Sequence, residues 1–356
     1  MKKISIVAQF SPPVHGLSKA VDTLFNSNLK NKYLMRKVNL TNNKNFLFNF
    51  LKLLLSNDDM YYLTISQSKG GNIRDLIIIY LLKIKRKKVL IHLHGGFFRN
   101  MVENNLNIFQ RKININLLNY VEGAIVLGPS LKYIFEGIVP SEKIYTVSNC
   151  VDDEYLGELD VIKKRFDYKE LKVLFLSNFI TDKGYMSVLH VAKMINEQKI
   201  SNIKFILAGK FFKKEEELKF LKYIHDNNLN EIVQYNGVVV GEEKKELLRC
   251  CDVFILPTKY HKEGQPISIL EAMANGQIII STNHAGIPDI VENNVNGYLF
   301  NDISEEEIKN KLCLISNNKI TYKDMAIKNY EKVNHYYTEK QYLSNLDKIF
   351  STVIGN

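Results

Sequence analysis

The sequence predicts an α/β protein of two consecutive units, each a parallel sheet with helices on both faces. The chain has 356 residues, more than one ordinary domain holds. Short β-branched apolar runs alternate with segments of helix length, and this alternation restarts after Tyr168. An acidic, weakly periodic stretch at residues 152–169 separates the two series. We therefore expect Rossmann-like domains at 1–165 and 166–337, with a C-terminal helix at about 338–356 packing back on the first.

The individual elements follow from local patterns. Apolar runs bounded by polar, Gly or Pro residues predict strands at 3–10, 60–66, 89–94, 123–127 and 143–148, then at 171–176, 203–208, 232–235, 253–256 and 277–281. Apolar spacings of three and four predict helices at 73–84, 108–120, 185–196, 215–227, 242–249, 267–274 and within 321–353. Parallel sheets bind ligands at the carboxyl ends of their strands, so two domains facing each other would form a ligand-binding cleft.

Composition excludes several classes of protein. Apolar residues make up 46% and charged residues 24%, which is typical of soluble globular proteins. No apolar run approaches the length of about 18 residues that a membrane-spanning helix needs, and the basic N-terminus is better interpreted as a first strand than as a signal peptide. The four cysteines form no CxxC pair, so we expect neither a zinc site nor a disulfide framework, and a cytoplasmic location.

The charge is unevenly distributed. Residues 1–150 hold 21 basic and 8 acidic residues, a net charge of +13, while the remainder carries −3. The first half is therefore expected to meet something anionic: nucleic acid, an anionic membrane surface or a phosphorylated substrate. A solvated basic surface without a partner is the alternative interpretation. The densest basic cluster lies at residues 83–88.

Two turns of the first half are candidate ligand-binding segments. Gly16 follows the first predicted strand and would let the backbone approach an anion, although a plain strand-to-helix turn is the better explanation of this segment taken alone. His92 and His94 lie on one side of another strand, and Gly95 and Gly96 follow them. No third metal ligand is near in sequence, so His94 is predicted to contact a ligand rather than a metal ion.

In the second half, Lys183 and Gly184 lie where a strand leads into a helix. A lysine at a helix N-terminus opposes the helix dipole, unless a bound anion such as a diphosphate compensates it. A solvated lysine is the alternative interpretation. No dinucleotide fingerprint, P-loop or kinase signature is present.

The most specific segment is residues 256–276, in which Glu263 and Glu271 are eight positions apart. A strand precedes it, a loop carries Glu263, and Pro266 suits the start of a helix that carries Glu271. The backbone N–H groups of Ile267, Ser268 and Ile269 are expected to be unpaired helix-start groups that face an anion. Two carboxylates so placed could hold opposite ends of one ligand.

With these residues the second half resembles the nucleotide-sugar-binding half of glycosyltransferase family 4, a retaining family of group 1 glycosyltransferases with the GT-B fold. The resemblance covers about residues 3–300. It is carried by the Glu263–Glu271 pair, by Lys183 with Gly184, and by the segments 13–16, 94–96, 148–152, 208–209, 285–291 and 296–297.

The resemblance implies a role for each matching residue. Glu271 would bind ribose hydroxyls, and Glu263, with backbone N–H groups near Gln265, Pro266 and Ile267, would bind sugar hydroxyls. Lys183, assisted by the Gly16 loop, would bind the diphosphate. His94 would lie beside the reacting centre, and the base would lie near residues 236–240, with contacts at Gly237 and Val239.

One departure concerns the leaving group. Asn178 replaces the family's usual arginine, and Lys210 or Lys262 are candidate substitutes. A second departure is Cys150, where the family has glycine. No DxD-type metal motif is present, so the resemblance implies a metal-independent enzyme without a cofactor, in which the leaving phosphate accepts the proton of the incoming hydroxyl.

The resulting hypothesis is a hexosyltransferase that uses a nucleotide-sugar, by family frequency a UDP-sugar. It would act on a glycan or lipid-linked acceptor in bacterial surface polysaccharide biosynthesis (capsule, O-antigen or exopolysaccharide), peripherally at the inner face of the cell membrane. The alternatives are a GT-B epimerase or phosphorylase, and a non-catalytic sugar-nucleotide-binding subunit. A nucleic-acid-binding protein would explain the basic half, but no such motif is present.

Overall fold

The computed structural model of the chain describes residues 1–13, 16–42 and 45–355. These residues form two compact units. The first unit comprises residues 1–150, the short segment 262–265 and the C-terminal segment from residue 339, and the second comprises 151–261 and 266–338.

The sheet of the first unit has six parallel strands: β1 (Lys2–Ala8), β2 (Tyr33–Asn39), β3 (Met60–Thr64), β4 (Lys88–His92), β5 (Gly123–Val126) and β6 (Ile144–Thr146). Their order is β2-β1-β3-β4-β5-β6. Five of these strands confirm predicted ones. The sequence analysis missed β2, because this edge strand carries Arg36 and Lys37 and leaves only Tyr33 and Val38 buried.

The helices of the first unit include α1 (Gly16–Asn26), α2 (Phe46–Leu55), α3 (Lys69–Ile84), the short α4 (Phe98–Asn100) and α5 (Ile108–Leu118). α3 and α5 confirm the two helices predicted here. α3 starts earlier than predicted because the Ser68 side chain caps it by accepting the Gly71 N–H at 3.3 Å.

The sheet of the second unit also has six parallel strands: β7 (Leu171–Leu176), β8 (Ile203–Ala208), β9 (Val233–Tyr235), β10 (Val253–Leu256), β11 (Ile278–Thr282) and β12 (Gly297–Phe300). Their order is β12-β11-β10-β7-β8-β9. Five predicted strands are confirmed, and β12 was missed. β12 is short, lies at the sheet edge and has only Gly297 and Tyr298 buried.

The helices of the second unit are α6 (Leu159–Arg165), α7 (Tyr185–Glu197), α8 (Lys214–Asp226), α9 (Gly241–Cys250), α10 (Ile267–Ala274), α11 (Glu305–Asn317) and α12 (Lys323–Tyr336). α7 to α10 confirm the four helices predicted between the strands. No helix among the described residues is long and apolar enough to cross a membrane.

A buried arginine attaches α6 to the second unit, although the sequence analysis assigned residues 151–165 to the first domain. The Arg165 guanidinium lies 3.2 Å from a carboxylate oxygen of Asp252. It also donates to the backbone carbonyls of Arg249, Asn275 and Gly276. A buried charge needs such partners, so α6 is held by the sheet of the second unit.

The last helix, α13 (Glu339–Gly355), belongs to the first unit. Its buried face (Tyr342, Leu346, Phe350) shares a core with Ile4, Val21 and Tyr62. At the surface, Asp347 accepts hydrogen bonds from Lys32 at 2.8 Å and from the Tyr33 hydroxyl at 2.7 Å. The C-terminal helix α13 thus contributes to the hydrophobic core of the first unit.

Candidate functional site

Each sheet has one place where the strand order reverses. In the second unit the chain runs outward through β7, β8 and β9 and then returns to place β10 on the other side of β7. In the first unit the same reversal separates β1 from β3. The carboxyl ends of strands at such a switch point form a crevice that commonly binds ligands. Gly16 follows β1, Lys183 follows β7 and Glu271 follows β10, whereas His94 follows β4, and Gly237 and Val239 follow β9.

Lys183 follows β7, at the end of a 3₁₀ turn over Thr181–Lys183. Gly184 has φ +80°, and a Cβ there would overlap the carbonyl oxygen of Pro257. Only glycine permits this backbone-to-backbone approach at a positive φ. The Nζ atom of Lys183 lies 5.5 Å from the centroid of the Tyr260 ring. The predicted position of Lys183 at the entry to α7 is therefore confirmed.

The loop after β10 is bonded to the Lys183 turn. The Lys259 N–H donates to the Asp182 carbonyl at 2.7 Å. Thr258 organises the rest of this loop, since its hydroxyl accepts the Tyr260 N–H at 3.1 Å and its carbonyl accepts the Thr282 hydroxyl at 2.5 Å. The two segments that leave β7 and β10 are thereby fixed against each other. Tyr260, which the sequence analysis did not single out, is part of this contact.

Glu271 lies on α10 and forms a largely buried ion pair. The Lys244 Nζ lies 2.7 Å from Glu271 Oε1, and the side chains are 17% and 4% exposed. Lys244 also lies 4.1 Å from the centroid of the Tyr155 ring. No local pattern distinguishes Lys244 from the other lysine of the Glu-Lys-Lys run on α9, so the sequence analysis missed it.

The start of α10 corrects one expectation. Pro266 is the residue before the first helical turn, and no side chain caps that turn. The Ile269 N–H donates to the Pro266 carbonyl at 3.2 Å. The expectation that this amide is unpaired is therefore wrong, because the turn closes with an i to i+3 bond. Ile267 and Ser268 keep their role as candidate anion-binding amides.

The loop after β9 was predicted to meet a base through residues 236–240. Gly237 has φ +64° and accepts the Gly209 N–H at 2.6 Å, which joins this loop to the end of β8. The Val239 side chain is buried in the core, whereas Val238 and Val240 are exposed. Val239 can therefore offer only backbone atoms, and Val238 offers an apolar surface that the sequence analysis did not single out.

Asn178 is exposed immediately after β7. Its neighbour Phe179 donates its N–H to the Lys210 carbonyl at 2.9 Å. The exposed Lys210 therefore lies on the segment beside Asn178. Of the two candidate substitutes for the family's arginine, Lys210 belongs to the second unit with Asn178, and Lys262 belongs to the first.

In the first unit, the segment 262–265 is held by the buried side chain of Gln265. Its Oε1 accepts the Asn149 N–H at 2.8 Å, and its Nε2 donates to the Leu127 carbonyl at 3.2 Å. The Asn149 side chain donates in turn to the Gln265 carbonyl at 2.8 Å. The sequence analysis assigned Gln265 only a backbone role, because partners more than 100 positions away leave no local signal.

Gly264 lies against Gly95, and a Cβ on Gly264 would be 2.9 Å from the Gly95 Cα atom. Glu263, 8% exposed, and His94 are the residues adjacent to this contact. The structure therefore brings together two predicted site residues that are 169 positions apart in sequence.

The ring of His94 packs against the ring of a buried histidine at a tilt of 31°. The ring centroids of His92 and His94 are 3.9 Å apart, and the His92 Nδ1 lies 2.5 Å from the Tyr62 hydroxyl. Burial, and then the neighbouring His94, lower the pKa of His92 well below its usual value. His92 is therefore neutral at pH 7. Among the described residues no group of three His, Cys, Asp or Glu side chains could hold a metal ion.

A pocket of 130 Å³ opens beside His94 at the switch point of the first unit. Its lining residues include Gln9 after β1, Thr64 at the end of β3 and Arg74 on α3. Arg74 pairs with the buried Asp75 at 2.8 Å, and burial raises the pKa of Asp75 to about 6. Gly16 is the first residue of α1, and Val14 and His15 of its loop lie outside the described residues.

Part of the chain matches a known protein family. Residues 158–332 match the family described as Glycosyl transferases group 1. This region contains Lys183, Glu263 and Glu271. The second half of the chain is thus similar to the group 1 glycosyltransferases, and the protein is an enzyme of the glycosyltransferase type.

Two curated relatives illustrate the range of similarity. The "Uncharacterized glycosyltransferase MJ1069" of Methanocaldococcus jannaschii is 27% identical over 285 residues, which cover 77% of this chain and 70% of that protein. The "Poly(ribitol-phosphate) alpha-N-acetylglucosaminyltransferase" of Staphylococcus aureus is 25% identical over 243 residues, 68% of this chain. The latter match spans 46% of that protein's own length.

The fold of the whole chain is that of solved glycosyltransferases. Alr3699/HepE of Anabaena, crystallised in complex with UDP, superimposes with a TM-score of 0.76 at 16% identity, over 99% of this chain and 100% of that one. The same protein in complex with UDP-glucose gives a TM-score of 0.74. These matches and the two six-stranded parallel sheets confirm the predicted GT-B fold.

Proposed function

We propose that the enzyme transfers a sugar, with retention of its anomeric configuration, from a UDP-sugar to a glycan or lipid-linked acceptor in bacterial surface polysaccharide synthesis. The observation that carries this proposal is the placement of Lys183 and Glu271 on the segments that follow β7 and β10, the two strands at the switch point of the second unit. The complexes of the structural neighbour with UDP and UDP-glucose support a uridine nucleotide.

In this proposal the second unit binds the nucleotide. Glu271 accepts hydrogen bonds from the two ribose hydroxyls, and Lys244 keeps the carboxylate oriented. Lys183 and the amides of Ile267 and Ser268 bind the diphosphate. The exposed Val238 and the backbone at Gly237 and Val239 contact the base. Pre-positioned cations and helix-start amides stabilise the charge that develops on the departing diphosphate.

Glu263 and His94 act on the sugar group of the donor. Glu263 binds sugar hydroxyls, and His94 lies beside the reacting centre, as the family resemblance assigns them. The neutral His92, packed against His94, restrains the orientation of that ring. The bond from the anomeric carbon to the diphosphate breaks while the acceptor oxygen bonds to the same face, and the leaving phosphate oxygen takes the acceptor's proton.

Lys210 compensates for Asn178 in this proposal. The Phe179–Lys210 hydrogen bond places the two residues on neighbouring segments. A lysine there supplies a point charge, although without the paired N–H groups with which arginine holds a phosphate. We propose that this charge and Lys183 replace a metal ion in neutralising the diphosphate.

A donor screen tests the proposal. Thermal unfolding is measured with UDP-glucose, UDP-N-acetylglucosamine, UDP-galactose and GDP-mannose, since a ligand that binds the folded state raises the melting temperature. Glu271→Ala should abolish the shift given by the UDP-sugar, and Lys193→Ala, on the exposed surface of α7, should preserve it. If no nucleotide-sugar raises the melting temperature of the wild-type enzyme, the proposal fails.

Product analysis then separates the competing functions. A transferase releases UDP, slowly to water and faster with an acceptor, and nuclear magnetic resonance of the product shows retention. An epimerase would convert the sugar nucleotide without releasing UDP, a phosphorylase would require free phosphate, and a non-catalytic subunit would bind without turnover. Unchanged turnover in excess EDTA would support metal independence.

A further inference from the structure

Three neighbouring helices of the first unit expose an unusual amount of apolar surface. Thirteen of the twenty-seven exposed large apolar side chains among the described residues lie on α2, α3 and α5. Leu55 on α2, Tyr80 on α3 and Phe109 on α5 are 83%, 57% and 77% exposed. α3 packs between the other two helices. Large contiguous apolar patches commonly mark interaction sites, so this α2–α3–α5 face is a candidate docking surface.

A groove of 610 Å³ runs between α3 and α5. At one end the two helices are joined by buried amides, since Asn72 and Asn114 exchange side-chain hydrogen bonds of 2.8 and 3.0 Å. Most of the groove lining is apolar and includes Ile73, Ile77 and Phe109. The polar part of the lining consists of Lys83, Asn107, Gln110 and Asn116. A hydrocarbon chain can pack against the apolar part of this lining, where a polar group would lose its hydrogen bonds to water.

The charges on the same helices are almost all positive. α2, α3 and α5 carry six basic residues, and their one acidic residue, Asp75, is buried and paired with Arg74. Lys52, Arg111 and Lys112 are exposed beside the apolar side chains. An apolar face combined with exposed cations is the pattern of helices that lie in the interface of an anionic bilayer.

Two lysines of the basic cluster at residues 83–88 are used within the protein instead. The Lys85 Nζ donates to the carbonyls of Leu53 and Leu54 at the end of α2, at 2.8 and 2.6 Å. The Lys88 Nζ donates to the Ile354 carbonyl at 3.1 Å. Lys85 and Lys88 are thus engaged within the protein, whereas Lys83 lines the groove and Arg86 is exposed.

We propose that the α2–α3–α5 face docks on an anionic lipid bilayer, with a hydrocarbon chain entering the groove between α3 and α5. A second copy of this chain is a poorer occupant, because a symmetric contact would bring the exposed cations of one copy, among them Lys52, Arg111 and Lys112, against those of the other. The proposal deepens the proposed function and rests on it in one respect. Arg74 lines the pocket beside His94 and the adjacent Ile73 lines the groove, so a lipid bound there would extend its head group toward the site.

The chain contains no tryptophan, so a single introduced indole reports on its own surroundings. Phe109→Trp is mixed with vesicles of phosphatidylcholine, with and without phosphatidylglycerol. A blue-shifted emission that brominated acyl chains quench is expected only with the anionic vesicles. Phe212→Trp, at an exposed position of the second unit, is the matched control and should show neither effect. Equal responses from the two indoles would overturn the proposal.

Flotation with the same vesicles measures affinity. Ile77→Glu combined with Phe109→Glu should weaken binding roughly tenfold or more, because each exposed apolar side chain contributes when it leaves water. Leu218→Glu combined with Leu314→Glu, at exposed positions of α8 and α11, should bind like the wild type. Absence of wild-type flotation, or flotation unchanged in the groove variant, would contradict the proposal. Loss of self-association in the groove variant, without wild-type flotation, would show a protein interface instead.

Hydrolysis of UDP-glucose, or of the nucleotide-sugar selected by the donor screen, separates this inference from the proposed function. The groove variant should keep the wild-type rate with soluble donor, since it changes no residue of the proposed nucleotide site. Vesicle binding by an enzyme that binds no nucleotide-sugar would leave the docking surface standing and remove the glycosyl-transfer assignment.

Discussion

The Nζ atom of Lys244 lies 2.7 Å from Oε1 of Glu271, and both side chains are largely buried. The carboxylate to which the family resemblance assigns ribose recognition is thus oriented by a lysine of the preceding helix. Removing one partner of a buried ion pair leaves the other charge without compensation, which costs more than an intact pair contributes.

Lys244→Met should therefore destabilise the protein by about 3 kcal/mol, the usual consequence of breaking a buried pair. Urea unfolding measures the change. Lys193→Met is a suitable comparison, because this lysine lies 3.8 Å from Glu197 on an exposed surface and should change the unfolding free energy by less than about 0.5 kcal/mol. Equal effects of the two substitutions would show that the pair contributes nothing to folding.

Lys183→Met should lower kcat about 100-fold or more while leaving the fold intact, because it removes a cation that acts on the leaving diphosphate. Steady-state UDP release and circular dichroism measure the two properties. Lys259→Met, in the neighbouring loop and paired with Asp302 at 3.0 Å, should stay near the wild-type rate. A Lys183 variant of full activity would argue against diphosphate binding at this position.

Gln265→Ala should lower both stability and kcat, since it removes two side-chain hydrogen bonds that hold segment 262–265. A loss of roughly 2 kcal/mol in unfolding free energy is expected, about 1 kcal/mol for each bond. The fall in kcat should exceed the change in KM for the UDP-sugar, because the displaced segment carries Glu263. Gln198→Ala, an exposed control on the second unit, should change neither quantity.

The pKa of Asp75, raised by burial to about 6, predicts a pH dependence of stability. The folded state binds this proton more tightly than the unfolded state, in which the pKa is near 3.8. The stabilisation that this proton gives to the folded state is complete below the pKa of Asp75 in the unfolded state, and it is lost as the pH rises through about 6. Between pH 4 and pH 7 the wild type should lose up to about 3 kcal/mol relative to Asp75→Asn, as measured by urea unfolding. If the unfolding free energies of the wild type and of Asp75→Asn change in parallel with pH, the raised pKa of Asp75 is contradicted.

Cys250 should be the thiol that alkylates fastest near neutral pH. Its Sγ lies 3.7 Å from that of Cys251, and this contact, with Lys172 and Arg165 nearby, lowers the pKa of Cys250 to about 7. Burial raises the pKa of Cys313, which is similarly accessible. Because the thiolate is the reactive form, mass spectrometry after brief iodoacetamide treatment at pH 7.5 should find Cys250 modified first. Faster modification of Cys313 would refute the assignment.

The sequence specified most of both sheets, because strands buried on two faces appear as continuous apolar runs. The edge strands β2 and β12 do not, since β2 has only two buried residues of seven and β12 is a short strand with only two buried residues of four. Lys183 and Glu271 were predictable from neighbours in the chain, a strand before and a helix after. Lys244 and the side-chain role of Gln265 were not, since their partners are distant in sequence. The expectation of an unpaired amide at Ile269 is wrong, because its N–H donates to the Pro266 carbonyl and this local i to i+3 bond competes with ligand binding.

The position of α13 has a consequence for biosynthesis. Residues 151–338 have all of their strands translated before α13 emerges from the ribosome, whereas the sheet of residues 1–150 must await Tyr342, Leu346 and Phe350 to cover one of its faces. The N-terminal half of the polypeptide is thus translated first but is the last to complete its folding. A premature stop codon near residue 338 would leave the first-made half with an uncovered apolar face, and such a product should aggregate or be degraded even though every proposed catalytic residue is present.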